Sequence, residues 1–167
     1  MGALFGTDGI RGLANGLVRP ELALDLGRAL VQVLREDGAT RPQVLVGRDP
    51  RWSGEMLEAA LCAGIASAGG DAVALGMLPT PAVAHLVPAG GADAGVMISA
   101  SHNAMPDNGL KVFASSGFKL RDETQGRIED LLGKAGGDAR PTGDELGRIR
   151  HDSTAVDRYV DALLDDA

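Results

Sequence analysis

The stretch "GVMISASHNAMPDNGLKVFAS", residues 95–115, decides how the chain is read. Its two ends, within "AGVMISA" and "GLKVFAS", are short apolar runs that read as strands. Between them stand Ser101, His102 and Asn103, then a proline and an Asp107-Asn108-Gly109 turn. The connection is too short for the helical crossover that parallel neighbours require, so this pair is predicted to be antiparallel or to lie at a sheet edge. The chain thus sets a serine and a histidine at a tip between two strands.

Upstream, strands alternate with helices. "QVLVGRD" (43–49) and "DAVALGML" (71–78) read as buried strands. Residues 19–36 carry Leu22, Leu26, Ala29, Leu30 and Val33 at helical spacing, with Pro20 in the first turn and Gly38 past the end. A second helix is predicted from a Ser53 cap to Ala68, with Glu55 in its first turn. Pro79-Thr80-Pro81 leads into a short helix through Leu86. Further helices are predicted over 121–133 and 153–166, the last with Val156, Tyr159, Val160 and Leu163 on one side, and a linker over Gly136–Gly143 that reaches towards His151. The pattern predicts one α/β domain over residues 1–167, a three-layer α/β/α sandwich around a mixed, mostly parallel four-stranded sheet.

Composition narrows the function. The 167 residues hold 44% hydrophobic and 23% charged residues, which suits a folded domain. Aromatics are 3%, so the core is aliphatic. Sixteen Lys and Arg against 23 Asp and Glu give a net charge of −7, which disfavours a nucleic-acid binder but leaves room for a local basic pocket. The single cysteine, Cys62, reads as a buried structural thiol inside a helix. Arg11, Arg19 and Glu21 interrupt the amino terminus early, and no apolar run approaches a membrane span, so the expectation is a cytoplasmic protein with no membrane partner.

Three clusters fall at strand ends or loops, where open α/β sheets bind ligands. They are "FGTDGIRG" (5–12), "GRDPRWSG" (47–54) and the stretch around Ser101. Each sets small residues beside arginine, serine, histidine or lysine. Glycine lets the backbone approach a ligand, and arginine offers a planar fork for phosphate. The combination points to an anionic, phosphorylated ligand. Read plainly, the glycines build turns, and Arg48 and Arg51 form surface ion pairs. Adjacent Ser101 and His102 make a poor hydrolase pair, and no G-x-S-x-G elbow surrounds the serine. No H-E-x-x-H, C-x-x-C or histidine cluster is present, so the sequence carries no self-contained transition-metal site.

Taken together and in order, "FGTDGIRG", "VGRDPRWSG" and "SASHNAMPDNGLKVF" resemble the α-D-phosphohexomutase superfamily, and within it the family of bacterial phosphoglucosamine mutases. The resemblance implies that Ser101 carries a phosphate. It is passed to a hexosamine phosphate, and the resulting 1,6-bisphosphate returns its other phosphate. The net change is glucosamine 6-phosphate to glucosamine 1-phosphate, which supplies UDP-N-acetylglucosamine and cell-wall precursors. It also implies charge and proton handling by His102, an acid, base or phosphate stabiliser in Lys111, and a phosphate contact from Arg11. Asn103 and Asn108 are implied to shape the loop, and Arg48 to bind or brace. The phosphate on Ser101 is implied to give one oxygen to Mg²⁺. Relatives in the superfamily that act on mannose or glucose phosphates, and a non-catalytic phosphate-binding module, are the alternatives.

The sequence departs from the family in two ways. Ala104 stands where many members have proline. The family also has four domains, and its D-G-D-x-D-R magnesium loop, sugar-selecting G-E-x-S-G-H loop and last phosphate loop have no counterpart here. The expectation is a first domain whose partners are domains II–IV and, as in many members, a second copy. By itself it is expected to lack mutase turnover.

Overall fold

The computed structural model describes residues 4–6, 9–132 and 140–165. Strands β1 (Ile10–Leu13), β2 (Gln43–Arg48), β3 (Asp71–Met77), β4 (Ala94–Ile98), β5 (Asp107–Ala114) and β6 (Ile149–His151) form one sheet in the order β1-β5-β4-β2-β3-β6. β2 pairs parallel with β3 and β4, and β3 with β6. β5 runs antiparallel to β4 and to β1. The expected mixed, mostly parallel sheet is present, with six strands rather than four. The two additional strands are its edges, and both are short. β1 overlaps the "GIRG" motif. β6 lies in the stretch read as a linker and carries His151. The rest of that expected linker, up to residue 139, falls outside the described residues, and Gly143–Glu145 forms a short 3-10 turn.

The helices are α1 (Pro20–Glu36), α2 (Gly54–Ser67), α3 (Thr80–Ala89), α4 (Asp122–Leu132) and α5 (Ala155–Asp165). Strand alternation divides the core into two layers. Val44, Val46, Val96, Ile98, Leu110 and Val112 face α1, α2 and α4, where they meet Leu26, Leu30, Leu57, Leu61, Ile65 and Ile128. Leu45, Met97 and Phe113 face α3 and α5, against Val83, Leu86, Val87 and Ala155. Each fully buried aliphatic side chain contributes about 1.5–3 kcal/mol. α1 and α2 touch backbone to backbone: a Cβ on Gly27 would stand 2.6 Å from the Leu61 carbonyl oxygen, and one on Gly64 would run into the Leu24 carbonyl.

The chain goes from β2 to β3 through α2 on one face. It then returns through α3, on the other face, to β4 on the opposite side of β2. The carboxyl ends of β2 and β4 therefore flank a switch point, the crevice at which open α/β sheets bind ligands. Both emerging loops, 49–53 and 99–106, are built from the motifs singled out in the sequence.

Candidate functional site

The β4–β5 loop is held in an unusual conformation. Ser101 has φ 55, in the left-handed region that side chains other than glycine rarely occupy. Its amide donates to Ser99 Oγ at 3.0 Å, and Ser99 Oγ donates to Asp49 Oδ2 at 2.7 Å. The Ser101 hydroxyl is exposed and stands 3.4 Å from His102 Nδ1. Asn103 Nδ2 donates to Asp107 Oδ2 at 3.0 Å, and its amide to the Ala100 carbonyl at 3.1 Å, which closes the loop on itself.

Two charges arrive from neighbouring strands. Lys111 shares a face of β5 with Phe113, and its Nζ lies 5.6 Å from the centre of that ring. Arg11 on β1 pairs with Gly109 on β5, so it shares the Lys111 face. Gly109 makes room for it: a Cβ there would stand 2.9 Å from Arg11 Cγ and 2.6 Å from the Ser99 carbonyl oxygen. Arg11, Thr80, Met97, Ser99, Ser101, His102 and Lys111 line one cavity of about 240 Å³. Thr80 opens α3, so the positive end of that helix also faces the cavity. A basic pocket with an exposed hydroxyl thus sits on a chain of net charge −7.

Of the residues expected from sequence, the structure brings Ser101, His102, Lys111 and Arg11 together. Asn103 and Asn108 lie beneath the pocket and outside its lining. Asn108 is fully buried, donates from Nδ2 to Ser53 Oγ at 2.9 Å, and accepts the Gly109 amide. Ser53 is therefore the acceptor of a loop contact, and its side chain makes no capping bond to α2. Arg48 is turned away: its guanidinium pairs with Glu55 at 3.0 Å and Glu58 at 3.3 Å, both on α2. The structure gives it a bracing contact and places it outside the cavity. Thr7 and Asp8 of the "FGTDGIRG" motif fall outside the described residues.

Arg51, whose plain reading from sequence is a surface ion pair, does pair with an acid, Asp49, but is only 5% exposed. Nε donates to Asp49 Oδ2 at 2.9 Å. Nη1 donates to the carbonyls of Ala104 and Asp107 at 2.6 and 2.9 Å, and Nη2 to those of Ser101 and Asn103 at 3.0 and 2.8 Å. No side-chain motif marks such a role in advance, because four of the five acceptors are backbone carbonyls.

A second cleft of about 530 Å³ opens from the same serine, lined mainly by Met77, Leu78, Pro79, Met97 and Met105 with Asp49 and Arg51 at its floor. Mg²⁺ requires several oxygen ligands in near-octahedral array. Among the described residues no three His, Cys, Asp or Glu gather to hold an ion. Asp49 is taken up by Arg51 and Ser99, and the pocket around Ser101 presents Arg11 and Lys111. These residues do not by themselves fit an Mg²⁺ site. Among the described residues no helix is long and apolar enough to cross a membrane.

Comparison with known proteins adds four findings. The family model for phosphoglucomutase/phosphomannomutase, alpha/beta/alpha domain I, matches residues 2–139. The phosphoglucosamine mutase of Saccharopolyspora erythraea is 58% identical over 166 residues, covering 99% of this chain and 37% of the relative. That of Cutibacterium acnes is 55% identical over 167 residues, again covering 37% of the relative. The crystal structure of a phosphoglucomutase/phosphomannomutase family protein from Burkholderia thailandensis superposes with a TM-score of 0.78 at 29% identity, over 98% of this chain and 36% of that one. The chain thus spans little more than a third of the length of the proteins it matches.

Proposed function

Since the chain belongs to the phosphoglucomutase/phosphomannomutase family, as its α/β/α domain I, we propose that residues 1–167 are the phosphoserine-bearing domain of a phosphoglucosamine mutase. One observation carries the reading: Ser101, His102, Arg11 and Lys111 converge on a single basic cavity beyond the carboxyl end of β4. The 55–58% identity to phosphoglucosamine mutases supports the choice of sugar.

In this reading Ser101 Oγ carries a phosphoryl group. A hydroxyl of glucosamine 6-phosphate attacks the phosphorus. The new sugar O–P bond forms as the bond to Oγ breaks, the hydroxyl gives up its proton to a base, and the serine oxygen takes one back. The bisphosphate turns round, the other phosphoryl group returns to Ser101, and glucosamine 1-phosphate leaves. Transfer of this kind rests on position and charge more than on covalent help. Arg11 supplies a fork for phosphate oxygens, and the opening of α3 adds a positive end. Lys111 and His102 handle the proton beside Oγ. An Mg²⁺ would neutralise phosphate charge, with phosphoserine 101 giving one ligand and the others coming from the domains II–IV that the longer relatives carry. Those domains, and a second copy in a dimer, are the proposed partners, and the compartment is the cytoplasm.

Intact-mass measurement with fragmentation tests the reading. The expected result is a gain of about 80 Da, one phosphoryl group, on Ser101 of the protein as purified or after incubation with a hexose 1,6-bisphosphate. Phosphate confined to another serine overturns Ser101 as the donor. Assayed by themselves, the 167 residues are expected to show no mutase turnover, and turnover at the rate of a full-length relative overturns the assignment to one domain of four.

A further inference from the structure

Arg51 is the one buried cation of the described residues, and its bonding is complete. A guanidinium has five N–H donors, one on Nε and two on each Nη. Here all five have acceptors: Asp49 Oδ2 and the carbonyls of Ser101, Asn103, Ala104 and Asp107. Asp49 is used as fully. Oδ1 accepts the Arg51 amide at 3.1 Å, while Oδ2 accepts both Arg51 Nε and the Ser99 hydroxyl. Ser99, having donated its proton to Asp49, turns a lone pair to the Ser101 amide. The result is a closed circuit. It starts from the loop after β2, crosses to the loop after β4, and grips Ser101 at both its N–H and its C=O.

That grip falls on a strained residue. A left-handed serine costs about 1–2 kcal/mol and persists only where its surroundings impose it. The other backbone restraints of the 99–106 loop are the amides of Ser99 to Gly109, Asn103 to Ala100, Asp107 to Ala104 and Ala14 to Pro106, with the Asn103 side chain bonded to Asp107. None of them is made by the N–H or C=O of Ser101. We infer that Arg51, acting with Asp49 and Ser99, is a positioning residue that imposes the left-handed backbone of Ser101 and so aims its hydroxyl into the basic cavity. Arg51 and Asp49 also floor the adjoining Met-lined cleft, so the circuit links the two cavities that meet at Ser101. Lysine cannot replace the arginine, because it offers three donors from one atom and no fork to span four carbonyls. The link to catalysis rests on the phosphoserine reading above, while the backbone role does not.

The test is amide hydrogen exchange, read residue by residue on the full chain, for Arg51→Lys and Ser99→Ala. Arg51→Lys is expected to speed exchange at Ser101, Asn103 and Asp107 by about tenfold or more, the loss of a charge-assisted bond, while Val46 and Val96 in β2 and β4 stay protected. Ser99→Ala keeps the arginine and is expected to speed Ser101 selectively, so the idea stays testable if the lysine variant folds poorly. Unchanged loop protection in both variants overturns the inference, as does a uniform loss across β2 and β4, which would make Arg51 a core-stability residue. Within a full-length mutase containing this domain, Arg51→Lys is expected to lower kcat about a hundredfold, as misplacement of a reacting group does, at unchanged KM and with the rate counted per phosphorylated Ser101. A raised KM with kcat intact overturns the positioning role in favour of direct substrate binding. If the unsubstituted enzyme lacks mutase activity, the functional reading fails and the exchange pattern alone decides the backbone role.

Discussion

The amide of Ser101 donates to the hydroxyl of Ser99 at 3.0 Å, a bond between alternate residues at a backbone φ of 55. Glycine tolerates that φ and alanine does not. Ser101→Gly is therefore expected to be more stable than Ser101→Ala by about 1 kcal/mol, although both lack the hydroxyl. Urea unfolding of the two variants checks this, and equal midpoints would show that the loop relaxes once the hydroxyl is gone.

The cavity predicts a graded loss of function. In a full-length mutase containing this domain, Ser101→Ala is expected to abolish phosphate incorporation and turnover. Lys111→Ala is expected to lower kcat by about 10²–10⁴, the range for a lost proton-transfer group. Arg48→Ala is expected to leave turnover within a few fold, because its partners are Glu55 and Glu58 rather than the cavity. A steady-state assay of the three separates a reacting group, a charge in the pocket and a brace behind it.

Most of the fold was legible because its inner strands are apolar runs bounded by glycine, proline or charge, and its helices keep a periodic apolar face. The edge strands were not. "IRGL" and "IRH" hold one or two apolar residues each, and they become strands only by pairing with β5 and β3. In the site, the serine, histidine, lysine and first arginine were legible because their types and spacing repeat a known pattern. Arg51 was not, since burial of an arginine after a strand depends on which carbonyls the fold later brings round it. Ser53 failed as a cap for a similar reason: its own backbone is already helical, at φ −74 and ψ −8, and its oxygen is taken by Asn108.

The contact between α1 and α2 predicts an effect opposite in sign to helix propensity. Alanine is favoured over glycine within a helix by about 1 kcal/mol. At Gly64 the added carbon would run into the Leu24 carbonyl, and the two helices cannot part without opening the core. Gly64→Ala is expected to destabilise the protein by about 1–3 kcal/mol, the cost of overpacking, and Gly126→Ala on α4, where a Cβ meets nothing within 4 Å, to be neutral or stabilising. Thermal unfolding of the pair checks the contrast.

Cys62 predicts the alkaline limit. Burial pushes its thiol from 9.0 up to about 12, with the Glu58 carboxylate adding to the shift. The folded state therefore keeps the proton that the unfolded state gives up. The stability this group contributes is complete below pH 9 and is lost as pH rises from about 9 to about 12. At pH 8 the native thiol is expected to alkylate at least about a thousandfold more slowly than the unfolded one, because burial blocks the reagent as well as holding down the thiolate. Iodoacetamide labelling with and without denaturant measures the ratio.

The short strand Ile149–His151 has a consequence for self-association. It lies along the outer side of β3, where Ala72, Val73 and Ala74 would otherwise leave a row of backbone donors and acceptors open to another chain. The strand that covers them is three residues long, exposed, and carries Arg150 and His151. A brief, charged border of this kind ends a sheet without offering a template for the next molecule. Proteolytic loss of residues 149–151 would bare the longer β3 margin and let the sheet recruit copies of itself edge to edge.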